Sequence, residues 1–320
     1  MARMIPDSVD WEAYVNDVDD GRADVRPASE FIEEIISEDA SPQVAGCATP
    51  WPSVGDDVRF RGGEVSLWGG VNGHGKSAVL GYAMLHAMSA GERACIASME
   101  MRPKDTLRRL VRQAACTEKV ADDYKRQFGK WTNGLLWIYN HVGTVQRDRM
   151  LAVARYCRRE LGVQHMVIDS MLKCGIAPDD YAGQKSFVDQ LCALARDTDL
   201  HIHLVHHARK SEKESIVPDK FDLKGAGEIT DLVDNVLIVH RNKAKEDGLR
   251  KDGLSDEKRA ALEAQSDTVL ICAKQRHHTW EGTVRLWFDP ASLQFRDQRT
   301  NGAVRLNLRD GQWEFVWGLA

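Results

Sequence analysis

One octapeptide limits what this chain can fold into more sharply than any other stretch: Gly70-Val71-Asn72-Gly73-His74-Gly75-Lys76-Ser77, which satisfies G-x-x-x-x-G-K-[ST]. That pattern also recurs by chance, so its flanks decide. An apolar run, Glu64–Trp68, precedes it, and a segment of helical periodicity from about Lys76 to Ala90 follows. Strand, glycine-rich turn and helix in that order aim successive backbone N–H groups at a phosphate chain near the positive end of a helix dipole. Gly70, Gly73 and Gly75, with Asn72 and His74 between them, let the backbone approach closely. Lys76 then reaches the β- and γ-phosphates, and the Ser77 hydroxyl ligates Mg²⁺. The expected cofactors are ATP and Mg²⁺.

Magnesium needs a second anchor. His165-Met166-Val167-Ile168-Asp169-Ser170 places a carboxylate directly after a buried strand, a poor structural choice unless something uses its charge. Asp169 is therefore expected to complete the metal site with Ser77.

Short apolar runs alternate with helical periodicity from Glu64 onward, which predicts an α/β fold with a mostly parallel sheet and helices on both faces. Strands are expected at Arg93–Met99, Leu135–Asn140, Ile202–Val205, Val236–His240 and Thr268–Ala273. Helices are expected from Pro103, over Val145–Leu161 and over Gln184–Arg196. Hairpin-like runs at Val284–Phe288 and Leu293–Arg296 predict an antiparallel C-terminal edge. The mixed-charge stretch 242–266 reads as a solvated surface loop with a short helix.

Three divisions follow: an acidic N-terminal extension over 1–59, a core over 60–298 and a tail over 299–320 in which further strands are expected. The extension holds one amphipathic stretch, Ser29–Ile36, with Ser29 as a possible cap and residues 31, 32, 35 and 36 in one stripe. A helix that short needs a docking surface, on its own domain or on a neighbouring subunit.

The net charge of −5 excludes a chain coated in positive charge, so any nucleic-acid contact must be local. Seven scattered cysteines without CxxC spacing exclude a zinc ribbon and suit a reducing compartment. With no apolar run of roughly 20 residues and no targeting signal, a cytoplasmic protein without membrane contact is expected.

The ordered set of motifs resembles the RecA-like P-loop ATPase core of DnaB-type (superfamily 4) replicative helicases over about residues 50–298. Glu100, after Ala97-Ser98-Met99, matches the carboxylate that activates or orients the attacking water, although a helix-start acid is the plain alternative. Leu204-Val205-His206-His207-Ala208-Arg209-Lys210 is similar to the element whose polar side chain senses the γ-phosphate. Bacterial enzymes carry Gln there; Twinkle and the phage primase-helicases carry His. The flanking residues favour His207 over His206. Asp222–Ile229 is similar to the glycine-bearing loop of the phage enzymes. Ala273-Lys274-Gln275-Arg276 resembles their K-x-R element, followed by a glycine-containing hairpin from Gly282.

The resemblance implies a homo-hexameric ring in which Arg276, with Lys274 beside it, reaches the nucleotide of the next subunit. An ordinary pair of surface cations is the alternative. It further implies an ATP-dependent helicase translocating on single-stranded DNA, contacted by Arg209, Lys210, Lys213, Lys220 and Lys224. The loop after Asp169, with Lys173 and Lys185, is a weaker candidate for that contact. Both loops lack aromatic residues, so backbone contact without sequence preference is expected. Residues 1–59 are too short for a primase domain, so a separate primase or loader is expected. A RecA/RadA-like filament ATPase and a KaiC-like regulatory ATPase are the competing readings.

Overall fold

The computed structural model describes residues 10–12, 28–39, 46–208, 226–300, 302–309 and 312–316. A helix, α1 (Ala28–Asp39), and a short ribbon, β1 (Cys47–Ala48) with β2 (Arg59–Phe60), precede the core. The core begins with β3 (Val65–Gly69), α2 (Lys76–Ser89), β4 (Ala94–Ser98), α3 (Pro103–Ala115), α4 (Asp122–Trp131) and β5 (Leu136–Ile138). Next come α5 (Arg147–Leu161), β6 (His165–Asp169), α6 (Tyr181–Thr198), β7 (His201–Val205), α7 (Ala226–Leu232) and β8 (Asn235–Arg241). The chain continues through α8 (Lys243–Leu249), α9 (Asp256–Ala264), β9 (Thr268–Gln275), β10 (Gly282–Asp289) and β11 (Gln294–Arg296). It closes on the hairpin β12 (Arg305–Arg309) and β13 (Gln312–Val316).

Nine strands form one sheet in the order β11-β10-β9-β8-β3-β7-β6-β4-β5. From β8 to β5 every neighbouring pair is parallel. From β8 outward through β9, β10 and β11 the pairs are antiparallel. Every residue of β3, β4, β6 and β7 is buried, as strands covered on both faces are, and the polar Ser66, His165, His201 and His203 are buried among the apolar residues. One apolar cluster joins the sheet to α5 and α6; a second joins the other face to α2 and α3. Trp51 and Leu306 belong to that second cluster, so the ribbon region and the β12–β13 hairpin pack on the same core as α2.

The sequence-based expectations differ from the structure in places. α1 begins before Ser29, which therefore sits inside the first turn rather than capping it, and Ile32, Ile35 and Ile36 are exposed. Helix α4 and the β1–β2 ribbon were not expected. α4 is short, and only Tyr124 and Phe128 of its residues are buried, against Trp313 and Trp131, so its apolar signal is weak. The stretch 242–266 is not a loop with one short helix but two helices, with Lys245 buried between them and the sheet. All seven cysteines are free thiols. Among the described residues no helix is long and apolar enough to cross a membrane.

Candidate nucleotide-binding site

In a parallel sheet the C-terminal strand ends collect the functional loops. Here β3 ends in the Gly70–Ser77 loop, β6 in Asp169, β4 shortly before Glu100, and β7 just before His206 and His207. Gly70 has φ +144°, and a Cβ there would lie 2.3 Å from the Val239 carbonyl oxygen, so β8 leaves room for glycine alone. Gly75 caps α2 in the left-handed region at φ +90°.

Lys76 is buried, with Nζ donating to the carbonyls of Gly70 (2.8 Å) and Val71 (3.1 Å) and lying 3.3 Å from His207 Nδ1. Burial pulls its ammonium down to about 8, with Asp169 and Glu100 opposing. The Ser77 hydroxyl donates to Asp169 Oδ2 at 2.6 Å. Burial raises the Asp169 carboxyl above its ordinary value, and the Ser77 hydrogen bond opposes that rise. A hydroxyl and a carboxylate at one point beside a glycine cradle are the hard oxygen donors that Mg²⁺ takes, so the residues fit the ion.

His207, not His206, reaches the site. A lysine ammonium only donates, so His207 Nδ1 accepts and Nε2 carries the proton toward Glu100 Oε1, 3.5 Å away. The Ser170 hydroxyl donates to the same Glu100 oxygen at 3.0 Å. Lys76, His207, Glu100 and Ser170 thus form one chain of contacts. His206 is fully buried, its backbone N–H donating to the Trp68 carbonyl. His74 lines the cavity too, but its ring is buried against His240 at 5.3 Å and its Nδ1 accepts from the Arg241 backbone N–H. That ring holds the loop in shape.

The loop opens into a cavity of about 680 Å³ whose remaining walls include Arg109, Arg241, Glu246, Asp267, Phe288 and Phe295. Sequence reasoning found none of these six. Gln113 of α3 positions one wall by donating to the carbonyls of Ala78 and Leu293, both at 2.9 Å. Arg109, on the same helix, approaches Asp169; burial lowers its guanidinium below its ordinary value, while Asp169 opposes that. The available signal was its place on the helix that starts just after Glu100.

Lys274 and Arg276 lie elsewhere. Val236 pairs with Lys274, whereas Gly69 pairs with Ile238, so both cations sit at the opposite end of the sheet from the phosphate loop. Lys274 Nζ donates to the carbonyls of Thr230 (2.7 Å), Asp231 (3.0 Å) and Val233 (2.8 Å). Those three bonds make Lys274 a clamp on the C-terminal end of α7. Arg276 Nη2 donates to the Asp231 and Leu232 carbonyls, and its Nη1 pairs with Asp234 at 3.3 Å. Arg209, Lys210, Lys213, Lys220 and Lys224 lie outside the described residues, as do residues 222–225 of the glycine-bearing loop. Lys185 pairs with Glu228 of α7 at 3.1 Å.

A glycine cradle on the central strand, with carboxylates after the two strands beyond its neighbour and an antiparallel extension beyond β8, defines a RecA-like P-loop core. The model of the DnaB-like helicase C terminal domain family matches residues 59–297, and the chain belongs to that family. It is 25% identical over 207 residues to a DNA helicase/primase of Enterobacteria phage T3, covering 57% of this chain and 36% of that protein. The chain thus spans about a third of that curated relative. One solved ATPase domain superposes with a TM-score of 0.69 at 18% identity, over 88% of this chain and 100% of that one. A DnaB-like replicative helicase described with its interactions with primase gives 0.65 at 17%, over 85% and 68%.

Proposed function

We propose that residues 60–298 are the motor of a ring-forming, ATP-dependent DNA helicase that translocates on single-stranded DNA and hydrolyses ATP between subunits. In this reading residues 1–59 contribute a subunit contact and 299–320 form a tail. The observation that carries it is the separation of Arg276 from its own phosphate loop. The four steps from Val65 to Gly69, at about 3.3 Å each, put roughly 13 Å between the two ends of β3. An arginine so placed cannot serve the nucleotide of its own chain, but it can serve that of a head-to-tail neighbour.

Each residue then has a task. The Gly70–Ser77 backbone and Lys76 hold the β- and γ-phosphates, and Ser77 with Asp169 holds the magnesium. Bound Mg²⁺ would neutralise charge between those phosphates. Glu100 orients the attacking water and takes its proton. His207 touches both Lys76 and Glu100, so a γ-phosphate drawn to Lys76 is felt at Glu100. The basic residues from Arg209 to Lys224 would follow the DNA backbone, six copies concentrating the charge around a channel.

A forked-duplex displacement assay tests this, with Lys76→Ala as the inactive control and negative-stain microscopy alongside. Strand separation by closed rings is expected. ATP turnover without any unwinding, or open filaments on DNA, would reject the reading in favour of a filament or regulatory ATPase.

A further inference from the structure

We propose that Glu246 is a positioning residue for the nucleobase: it holds the Arg241 guanidinium in a fixed plane on the cavity wall, and the base stacks on that plane. The inference rests on the reading of the cavity as an ATP site. Lys76, Ser77 and Asp169 mark the phosphate end, so the base of a nucleotide must occupy the other end. Arg241, Glu246 and Phe288 line the same cavity, and Phe288 packs at a ring-centroid distance of 5.0 Å on Phe295, whose ring edge lies against Gly75 of the phosphate loop.

Both carboxylate oxygens of Glu246 bind Arg241, and Oε2 also lies 3.8 Å from Arg250 Nη2. Oε1 accepts from Arg241 Nε and Oε2 from Arg241 Nη2, the latter at 2.9 Å. Two parallel N–H···O bonds fix the guanidinium plane as a single bond would not. With both oxygens on Arg241, Glu246 acts through the arginine rather than by reading the base itself. The other end of Arg241 is fixed as well, because its backbone N–H donates to His74 Nδ1 at 3.2 Å within the phosphate loop. Arg241 is thereby tied to the phosphate loop through its backbone and to Glu246 through its guanidinium. Its side chain remains 42% exposed. That exposure leaves the guanidinium face open to a planar ligand.

The support behind Glu246 is rigid. It sits on α8, where the Asn242 side chain caps the first turn by accepting from the Lys245 backbone N–H. Lys245 Nζ donates to the Gln265 carbonyl (2.7 Å) and to Asp267 (2.6 Å), and Asp267 also accepts from the Phe288 backbone N–H at 2.9 Å. The α8 helix is therefore tied to the two strands that carry the opposite wall. Without Glu246, the guanidinium would have to lose its rotational freedom on binding instead of before it.

Full-length protein carrying Glu246→Ala tests this by displacement of a fluorescent ADP analogue and by steady-state turnover. ATP and ADP are expected to bind about tenfold more weakly, and KM to rise in step while kcat stays within about twofold. Inorganic tripolyphosphate, which has no base, is expected to bind both proteins equally. Glu246→Gln keeps one acceptor and should recover part of the loss, and it also serves should the alanine variant fold poorly. Arg241→Ala should match Glu246→Ala, with the double variant no worse than either. Unchanged ATP affinity in Glu246→Ala, or an equal loss for tripolyphosphate, would overturn the assignment. A wild-type protein that binds neither ATP nor tripolyphosphate would instead sink the nucleotide-site reading, and this inference with it.

Discussion

Arg276 Nη1 lies 3.3 Å from Asp234 Oδ1, while Asp234 Oδ2 accepts from the N–H of Val65, the first residue of the strand that carries the phosphate loop at its far end. The arginine is thus tethered to the same strand as its own nucleotide loop yet held away from it. For a trans-acting role, Arg276→Ala should bind ATP normally and lose turnover by about a thousandfold. Mixing it with Lys76→Ala protein, under conditions that allow subunits to exchange, should restore turnover, because each variant supplies what the other lacks. No recovery in freshly exchanged mixtures would place the arginine's action within one chain.

Lys274 is expected to act differently from Arg276. Its three bonds to the end of α7 make it a stabilising clamp. Hydrogen bonds to charged groups are worth about 1.5–3 kcal/mol each at most. Lys274→Met should lower the unfolding free energy by about 2 kcal/mol in urea titrations. Wild-type stability combined with the turnover defect of Arg276→Ala would instead assign Lys274 to the neighbouring nucleotide.

Two glycines of the phosphate loop should respond unequally to alanine. At Gly70 the new methyl meets the Val239 carbonyl at 2.3 Å, and β8 cannot yield without disturbing the sheet; at Gly73, φ +81°, nothing lies within 4 Å. Gly70→Ala should cost about 3 kcal/mol and abolish ATP binding, whereas Gly73→Ala should cost about 1 kcal/mol and keep most of it. Calorimetric titration of both variants with ATP, beside their melting curves, checks the contrast.

Acid should destabilise the protein through three buried histidines. Trp68 Nε1–H donates to His203 Nδ1 at 3.2 Å, so the His203 proton sits on Nε2. That proton points to His165 Nδ1, also at 3.2 Å. His201 Nδ1–H donates to the Arg61 carbonyl. Burial lowers His165 to about 4, His201 to about 3 and His203 well below its ordinary value. Carboxylates of Glu92 and Glu64 lie 3.9 and 4.0 Å from His165 and His201, but desolvation outweighs them and the rings stay neutral. Because the folded values are depressed below about 6.5, their contribution is fully present above that pH and is lost as pH falls toward about 4. From His165 alone the loss at pH 5 is about 2 kcal/mol. Unfolding free energies at pH 7 and pH 5 measure it, and equal values would show that the rings take up protons in the fold as readily as in the unfolded chain.

The nucleotide loop, the strand–helix alternation and the partners Ser77 and Asp169 were legible in the chain because each depends on a short local pattern, whereas Glu100 was read only through the resemblance. A buried strand needs an apolar run, and a carboxylate directly after one stands out. Choosing His207 over His206 needed the flanking residues of a resemblance, and it took the fold to put His207 against Lys76. The helices of 242–266 were misjudged because their charged surface reads as solvent-exposed, although Lys245 is buried and Glu246 faces the cavity.

By itself the sequence determined which loop can cradle phosphates, because φ and close backbone approach are properties of single residues such as Gly70. Only the tertiary structure decided what surrounds that loop. Arg241, Phe288 and Phe295 reach one cavity through β8, β10 and β11, and Arg276 is carried to the far end of the sheet because β9 runs antiparallel to β8. Strand direction and register are set by packing over the whole sheet, and no local run of residues encodes them.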